Sequence, residues 1–98
     1  MSRRAPKLVC EGTAVRKLTP GQRYMLAFKG YRAYAEPHTF VSEYQNRDND
    51  PPRRKFRSEE GDEWEAYKFE GRWAYGTGAE PLTVYPEGTN CWSDDSGW

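Results

Sequence analysis

Glycine and proline interrupt this sequence so often that little room is left for a long helix. The chain carries nine glycines and seven prolines, and they recur from Pro20 and Gly21 onward to Gly88. Proline lacks a backbone donor, and a glycine inside a helix weakens it. Almost no window between these residues is long enough for three helical turns. The pattern therefore predicts an all-β chain, with room for one short helix.

The runs between these residues alternate with the period of two that a half-buried strand needs. The clearest run covers 22–29, where Tyr24, Leu26 and Phe28 share one face. Further strands are predicted over 8–15, weakened by Gly12, and over 39–45 and 82–85. The predicted core consists of Tyr24, Leu26, Phe28, Phe40, Val41, Trp64, Phe69, Trp73, Leu82 and Val84.

Residues 62–75 support two interpretations. Two aromatic arms, 63–69 and 72–75, flank Glu70 and Gly71, which is typical of a β-hairpin with a tight turn. Alternatively, Asp62 caps a helix and Glu65 completes a capping box. That helix would contain Gly71 and several aromatic residues that favour strands, so the hairpin is preferred.

Five to six short strands in 98 residues predict one small barrel or a strongly bent antiparallel sheet. The strand and turn rhythm resembles that of SH3-like and OB-like barrels, a resemblance that implies a fold and no function. We expect a single domain over 1–98. It would have a flexible basic N-terminus over 1–7, a polar loop over 46–52 and a loosely docked C-terminal tail over 88–98.

Cysteine content and the N-terminus bear on the compartment. No apolar segment follows the basic N-terminus, and no run approaches the length of a membrane helix. We therefore expect a cytoplasmic protein (in the host cytoplasm if a virus encodes it), with no membrane contact. In a reducing cytoplasm Cys10 and Cys91 should be free thiols. With no CxxC and His38 as the sole histidine, we expect no metal and no cofactor.

Charge is strongly asymmetric along the chain although the net charge is zero. Residues 1–57 hold 13 of the 15 lysines and arginines and five acids, whereas residues 58–98 hold two basic and ten acidic residues. In a meandering sheet, basic strands can pair with acidic ones and neutralise each other. The alternative is a molecule with two electrostatic faces. Likewise, aromatic residues at 15% of the chain can form the core or a binding face.

A protein partner is the leading functional prediction. Tryptophan, tyrosine and arginine dominate interface hot spots, and an acidic segment adjoins the aromatic hairpin. We expect a non-catalytic adaptor or inhibitor of a larger assembly, of the kind that viruses encode. The predicted contact residues are Glu59, Glu60, Asp62, Glu63, Trp64, Glu65, Tyr67 and Trp73.

Nucleic-acid binding is the alternative, because small barrels can hold single strands with a basic groove and aromatic platforms. The residues that would carry it are Arg16, Lys17, Arg53, Arg54, Lys55, Phe56 and Arg57. Nucleotide binding by rings and arginines is less favoured. Catalysis is not expected, since the one conceivable arrangement needs His38 beside Glu63 or Glu65 and Arg72, and no spacing supports it.

Overall fold

The computed structural model describes residues 7–29 and 33–94, and these contain strands and no helix. The all-β prediction is confirmed. The strands are β1 (Lys7–Cys10), β2 (Arg23–Phe28), β3 (Tyr34–Tyr44), β4 (Arg53–Ser58), β5 (Glu63–Phe69), β6 (Arg72–Tyr75), β7 (Glu80–Pro86) and β8 (Cys91–Asp94). The part of the chain that the structure describes has no helix that could span a membrane.

Six of these strands close into an antiparallel barrel, which confirms the predicted small barrel. β2 to β7 pair in chain order, and β7 pairs back with β2, so that Leu26 lies opposite Val84. β1 and β8 form a separate two-stranded ribbon. Closure leaves the barrel strands without free edges, which removes the usual template for pairing with another chain.

The barrel core is built mainly from rings and branched side chains. It contains Tyr24, Leu26, Phe28, Phe40, Phe56, Ala66, Leu82 and Val84, with Trp64 and Trp73 packed against it. Val41 is only half-buried. The prediction for Phe69 is wrong: it is 40% exposed, because it ends β5 on the face opposite to inward-facing Ala66.

Several strands depart from the sequence prediction, among them β1, β3 and β4. β1 ends at Cys10 instead of 15, because Gly12 adopts a φ of 92° that a strand does not continue through. β3 begins at Tyr34 and runs through Pro37. β4 was not predicted at all, since its sequence is dominated by basic residues, yet Arg54 and Phe56 alternate into the barrel.

The hairpin interpretation of residues 63–75 is confirmed, and the helix alternative is wrong. β5 pairs antiparallel with β6, with Tyr67 opposite Ala74. Glu70 and Gly71 connect them with φ angles of 51° and 80°. Positive φ at both central residues is the type I′ turn, whose twist matches that of the flanking strands.

The prediction of free thiols is also wrong, because Cys10 and Cys91 form a disulfide. The two residues lie directly opposite each other in the β1–β8 ribbon, with their Cα atoms 4.1 Å apart. A separation of 81 residues hides this proximity from sequence inspection. Within the predicted C-terminal tail, Cys91–Asp94 thus pairs with β1, while residues 1–6 and 95–98 lie outside the described residues.

Candidate functional site

Five aromatic rings meet at one end of the barrel, where β2, β4 and β6 end and β3 and β5 begin. Phe28 is at their centre and is only 4% exposed. Tyr34 stacks on it with ring centroids 4.7 Å apart, and Tyr75 meets it edge-on at 5.0 Å. Trp64 and His38 pack against the same ring at 5.5 and 5.7 Å. The rings therefore form one continuous cluster.

The first five residues of β3 place three side chains at this end of the barrel, all on one face of the strand. Alternation along the strand places Tyr34, Glu36 and His38 on the same side. His38 is buried, its ring meets Trp64 edge-on at 5.6 Å, and its Nδ1 lies 3.4 Å from the Glu36 carbonyl oxygen. Burial lowers the pKa of His38 below its ordinary value, against a smaller opposing effect of Glu36. His38 therefore stays neutral at pH 7.

A pocket of about 340 Å³ opens above the rings, and three carboxylates line it. These are Glu36, Glu60 and Asp62, and all three residues are exposed. None of the described residues that line the pocket is a lysine or an arginine. We call this site the acidic pocket. It combines an aromatic floor with excess negative charge.

The β4–β5 turn fixes the position of two of these carboxylates. The Ser58 N–H donates to the Asp62 carbonyl oxygen at 2.8 Å. In return, the Asp62 N–H donates to the Ser58 hydroxyl oxygen at 3.1 Å. Gly61 closes the turn with a φ of 93° and donates to the Ser58 carbonyl. The turn thus holds Glu60 and Asp62 at the mouth of the pocket.

Two neighbouring acids are already paired with arginines. Glu63 accepts from Arg57 at 2.7 Å, and this bond is the main reason why the pKa of Glu63 lies below its ordinary value. Glu59 pairs with Arg23, which also lies 3.5 Å from Glu87. These exposed pairs leave Glu36, Glu60 and Asp62 as the pocket carboxylates with no ion pair to a described residue.

Only three of the eight residues predicted for protein binding come together in the acidic pocket: Glu60, Asp62 and Trp64. Glu65 lies on the outer face in register with Lys55, and the Tyr67 hydroxyl donates to the Gly76 carbonyl. Trp73 lies at the opposite end of the barrel. The prediction missed Phe28, Tyr34, Glu36, His38 and Tyr75 as pocket residues; continuing the period-two pattern backward through Pro37 would have found the three on β3.

Five of the seven residues predicted for nucleic-acid binding lie on β4 and are divided between its two sides. Arg54 and Phe56 face the interior, and Phe56 is fully buried, so it offers no face for a base. On the outer side, Lys55 and Arg57 lie in register with Glu65 and Glu63, and Arg53 with Tyr67. Of these register pairs, only Arg57 and Glu63 form an ion pair among the described residues, so neutralisation across the strands is partial. Arg16 and Lys17 are exposed in the segment between β1 and β2.

The conceivable catalytic arrangement does not assemble. His38 faces the barrel interior, Glu63 and Glu65 lie on the outer face of β5, and Arg72 begins β6 at the other end. The described residues contain no group of three or more His, Cys, Asp or Glu placed to hold a metal ion.

No family model, no curated protein and no solved structure matches this chain.

Proposed function

We propose that this chain is a non-catalytic protein-binding module that accepts a basic side chain of its partner in the acidic pocket. The observation that carries the proposal is the combination of aromatic rings and three carboxylates in a lining without lysine or arginine among the described residues. We further propose that the chain acts as an adaptor or inhibitor of a larger assembly, encoded by a virus or by a cell.

Physical chemistry favours a cation with an apolar stem as the occupant. A cation within about 6 Å of a ring face gains roughly 0.5–2 kcal/mol, depending on desolvation. Tyr34 is 42% exposed and offers such a face, while the partly buried Trp64 supplies apolar wall. Lysine and arginine can bury their methylene stems on these rings and present their charge to the carboxylates. Neutral His38 adds no opposing charge.

Charge reversal at the pocket mouth tests the proposal. We would titrate the protein with a peptide of alternating glycine and lysine, and follow the indole N–H signal of Trp64 by NMR. The double variant Glu60→Lys, Asp62→Lys should bind about tenfold more weakly, as two reversed charges imply. Neither side chain makes a hydrogen bond or ion pair with a described residue, so the fold should persist.

Matched controls separate the pocket from general electrostatics. The double variant Asp48→Lys, Asp50→Lys makes the same charge change in the loop between β3 and β4, at the opposite end, and should leave affinity nearly unchanged. Tyr34→Ala should weaken binding, whereas Trp92→Ala removes an equally exposed ring elsewhere and should not. Equal losses in the pocket and control variants, or no binding of the lysine peptide, would overturn the proposal.

The nucleic-acid alternative stays a prediction and is tested in parallel. Its outer residues Arg53, Lys55 and Arg57 lie beside acids or a tyrosine, which reduces the positive field. Binding of an oligothymidine with affinity that falls steeply with salt would favour this alternative over the protein-binding proposal. The cytoplasmic location also stays a prediction, and the Cys10–Cys91 disulfide favours an oxidising compartment instead.

A further inference from the structure

The opposite end of the barrel holds a second and larger cavity of about 610 Å³. It opens where β3 and β5 end and β4 and β6 begin, so its lining is separate from that of the acidic pocket. We call it the arginine pocket. Its charged lining residues are Arg16, Glu43, Arg54 and Lys68, and its apolar lining includes Val15, Trp73, Leu82 and Val84.

Arg54 is held rigidly in this pocket. The residue is only 7% exposed, and its Nε donates to Glu43 Oε1 at 2.7 Å. Its Nη2 donates to the Arg16 carbonyl at 2.9 Å, and the guanidinium lies over the Trp73 ring, 4.1 Å from the centroid. A planar guanidinium fixed on three sides is preorganised for a ligand on its remaining edge.

That remaining edge has unused donors. Nη1 carries two N–H groups, and no described residue accepts a hydrogen bond from it. Nη2 carries a second N–H beside the one that the Arg16 carbonyl accepts. Nη1 and Nη2 together therefore carry three N–H groups that no described residue accepts, and a carboxylate can bind to such a guanidinium in a bidentate manner. The Glu43 carboxylate does not occupy this edge, because it contacts Nε.

The pocket also has excess positive charge. Three cationic residues and one carboxylate line it, and the Glu43 side chain is half exposed. The Lys68 ammonium lies 5.1 Å from the Trp73 ring centroid. Neither Arg16 nor Lys68 has a carboxylate of a described residue within ion-pair distance. A negatively charged ligand would therefore enter a favourable field.

From these contacts we propose that the arginine pocket binds a small organic carboxylate with an apolar body. The carboxylate pairs with the Nη1 and Nη2 edge of Arg54, and the apolar body packs against Val15 and the barrel wall. Arg54 and Lys68 already lie over the Trp73 ring, so the apolar body is placed against Val15 and the barrel wall and not on that ring. The cavity lies within the range of roughly 300–1,000 Å³ that is usual for small-molecule sites. This inference is independent of the proposed protein-binding function.

The test compares two probes of nearly the same shape, of which only the first is charged: naphthoate and naphthamide. We expect naphthoate to bind about tenfold more tightly, because only it can use the guanidinium edge and the excess charge. Its binding should shift the indole N–H signal of Trp73 and leave that of Trp64 in place, with both signals assigned from Trp→Phe variants. Equal binding of the two probes, no binding of naphthoate, or a shift confined to Trp64 would overturn the proposal.

Variants at exposed or partly exposed positions keep the test independent of folding. The double variant Arg16→Gln, Lys68→Gln removes two cations and should weaken naphthoate binding about tenfold. Lys17→Gln and Lys29→Gln remove the same charge from exposed positions outside the pocket lining and should not. Arg54→Lys keeps the charge but loses the two neighbouring N–H donors of the guanidinium, and should reduce the preference for naphthoate if the variant folds. An unchanged affinity in the Arg16 and Lys68 double variant contradicts the proposal whatever Arg54→Lys does.

Discussion

Glu43 meets Arg54 inside the barrel end because β3 contains one extra residue, Val41. Phe40 pairs with Phe56, but the next paired residues are Ser42 and Lys55, so Val41 has no partner across the strands. Without this bulge, Ser42 would lie opposite Arg54. Bulges commonly redirect a side chain in this way. Here the bulge places a carboxylate 2.7 Å from a buried guanidinium.

Glu43→Gln should therefore lower the free energy of unfolding by about 1 kcal/mol, because the amide oxygen can still accept from Arg54 Nε but no longer carries the charge that strengthens this hydrogen bond. The measurement is urea denaturation at pH 7. Glu11→Gln, at an exposed position outside the barrel, is the matched control and should change stability little. In an Arg54→Met background the Glu43→Gln effect should vanish. An effect of equal size in both backgrounds would show that the pair does not couple.

The type I′ turn offers a stabilising substitution. Glu70 adopts a φ of 51°, which a glutamate tolerates poorly and an asparagine tolerates well. Glu70→Asn should raise the free energy of unfolding by about 0.5 kcal/mol. Gly71→Ala at a φ of 80° should instead destabilise the protein. Thermal denaturation of both variants checks the prediction, which fails if Glu70→Asn is less stable than the parent.

Local patterns predicted those parts of the fold that depend on neighbouring residues. Alternation along β2 gave Tyr24, Leu26 and Phe28 as core residues, and Glu70 with Gly71 gave the hairpin turn. β4 escaped prediction because its inward residues include Arg54, a charged group that is held in the interior by Glu43, Trp73 and the Arg16 carbonyl. Those partners are distant in sequence, so no local pattern predicts them.

The acidic pocket was predicted only in part for a similar reason. Glu60, Asp62 and Trp64 are close in sequence, and the structure places these three of the predicted contact residues in one pocket. Phe28 and Tyr34 face each other across the β2–β3 pair, and the barrel brings them beside Trp64 and Tyr75, which are distant in sequence. The disulfide is the extreme case, since its two cysteines are 81 residues apart.

Reduction of the Cys10–Cys91 disulfide should lower the free energy of unfolding by about 4.5 kcal/mol, if the chain-entropy relation holds for a loop of this length. The physical reason is that the bridge restricts the unfolded chain, and the barrel strands β2 to β7 do not include either cysteine. Denaturation with and without a reductant measures the difference. The double variant Cys10→Ser, Cys91→Ser should match the reduced protein and be insensitive to reductant. A reductant effect that persists in this variant would have another origin.

His38 should make the protein less stable as the pH falls below neutrality. Its pKa in the folded chain is lowered by burial from the ordinary value of 6.5. Below pH 6.5 the unfolded chain therefore binds a proton that the folded chain does not, and the free energy of unfolding falls until the pH reaches the lowered pKa. Urea denaturation of the parent and of His38→Gln across this window measures the effect. The parent should lose stability more steeply with falling pH. Glutamine does not titrate, and all the other titratable groups are common to both proteins. Parallel pH profiles for the two proteins would mean that His38 is protonated as easily in the barrel as in water.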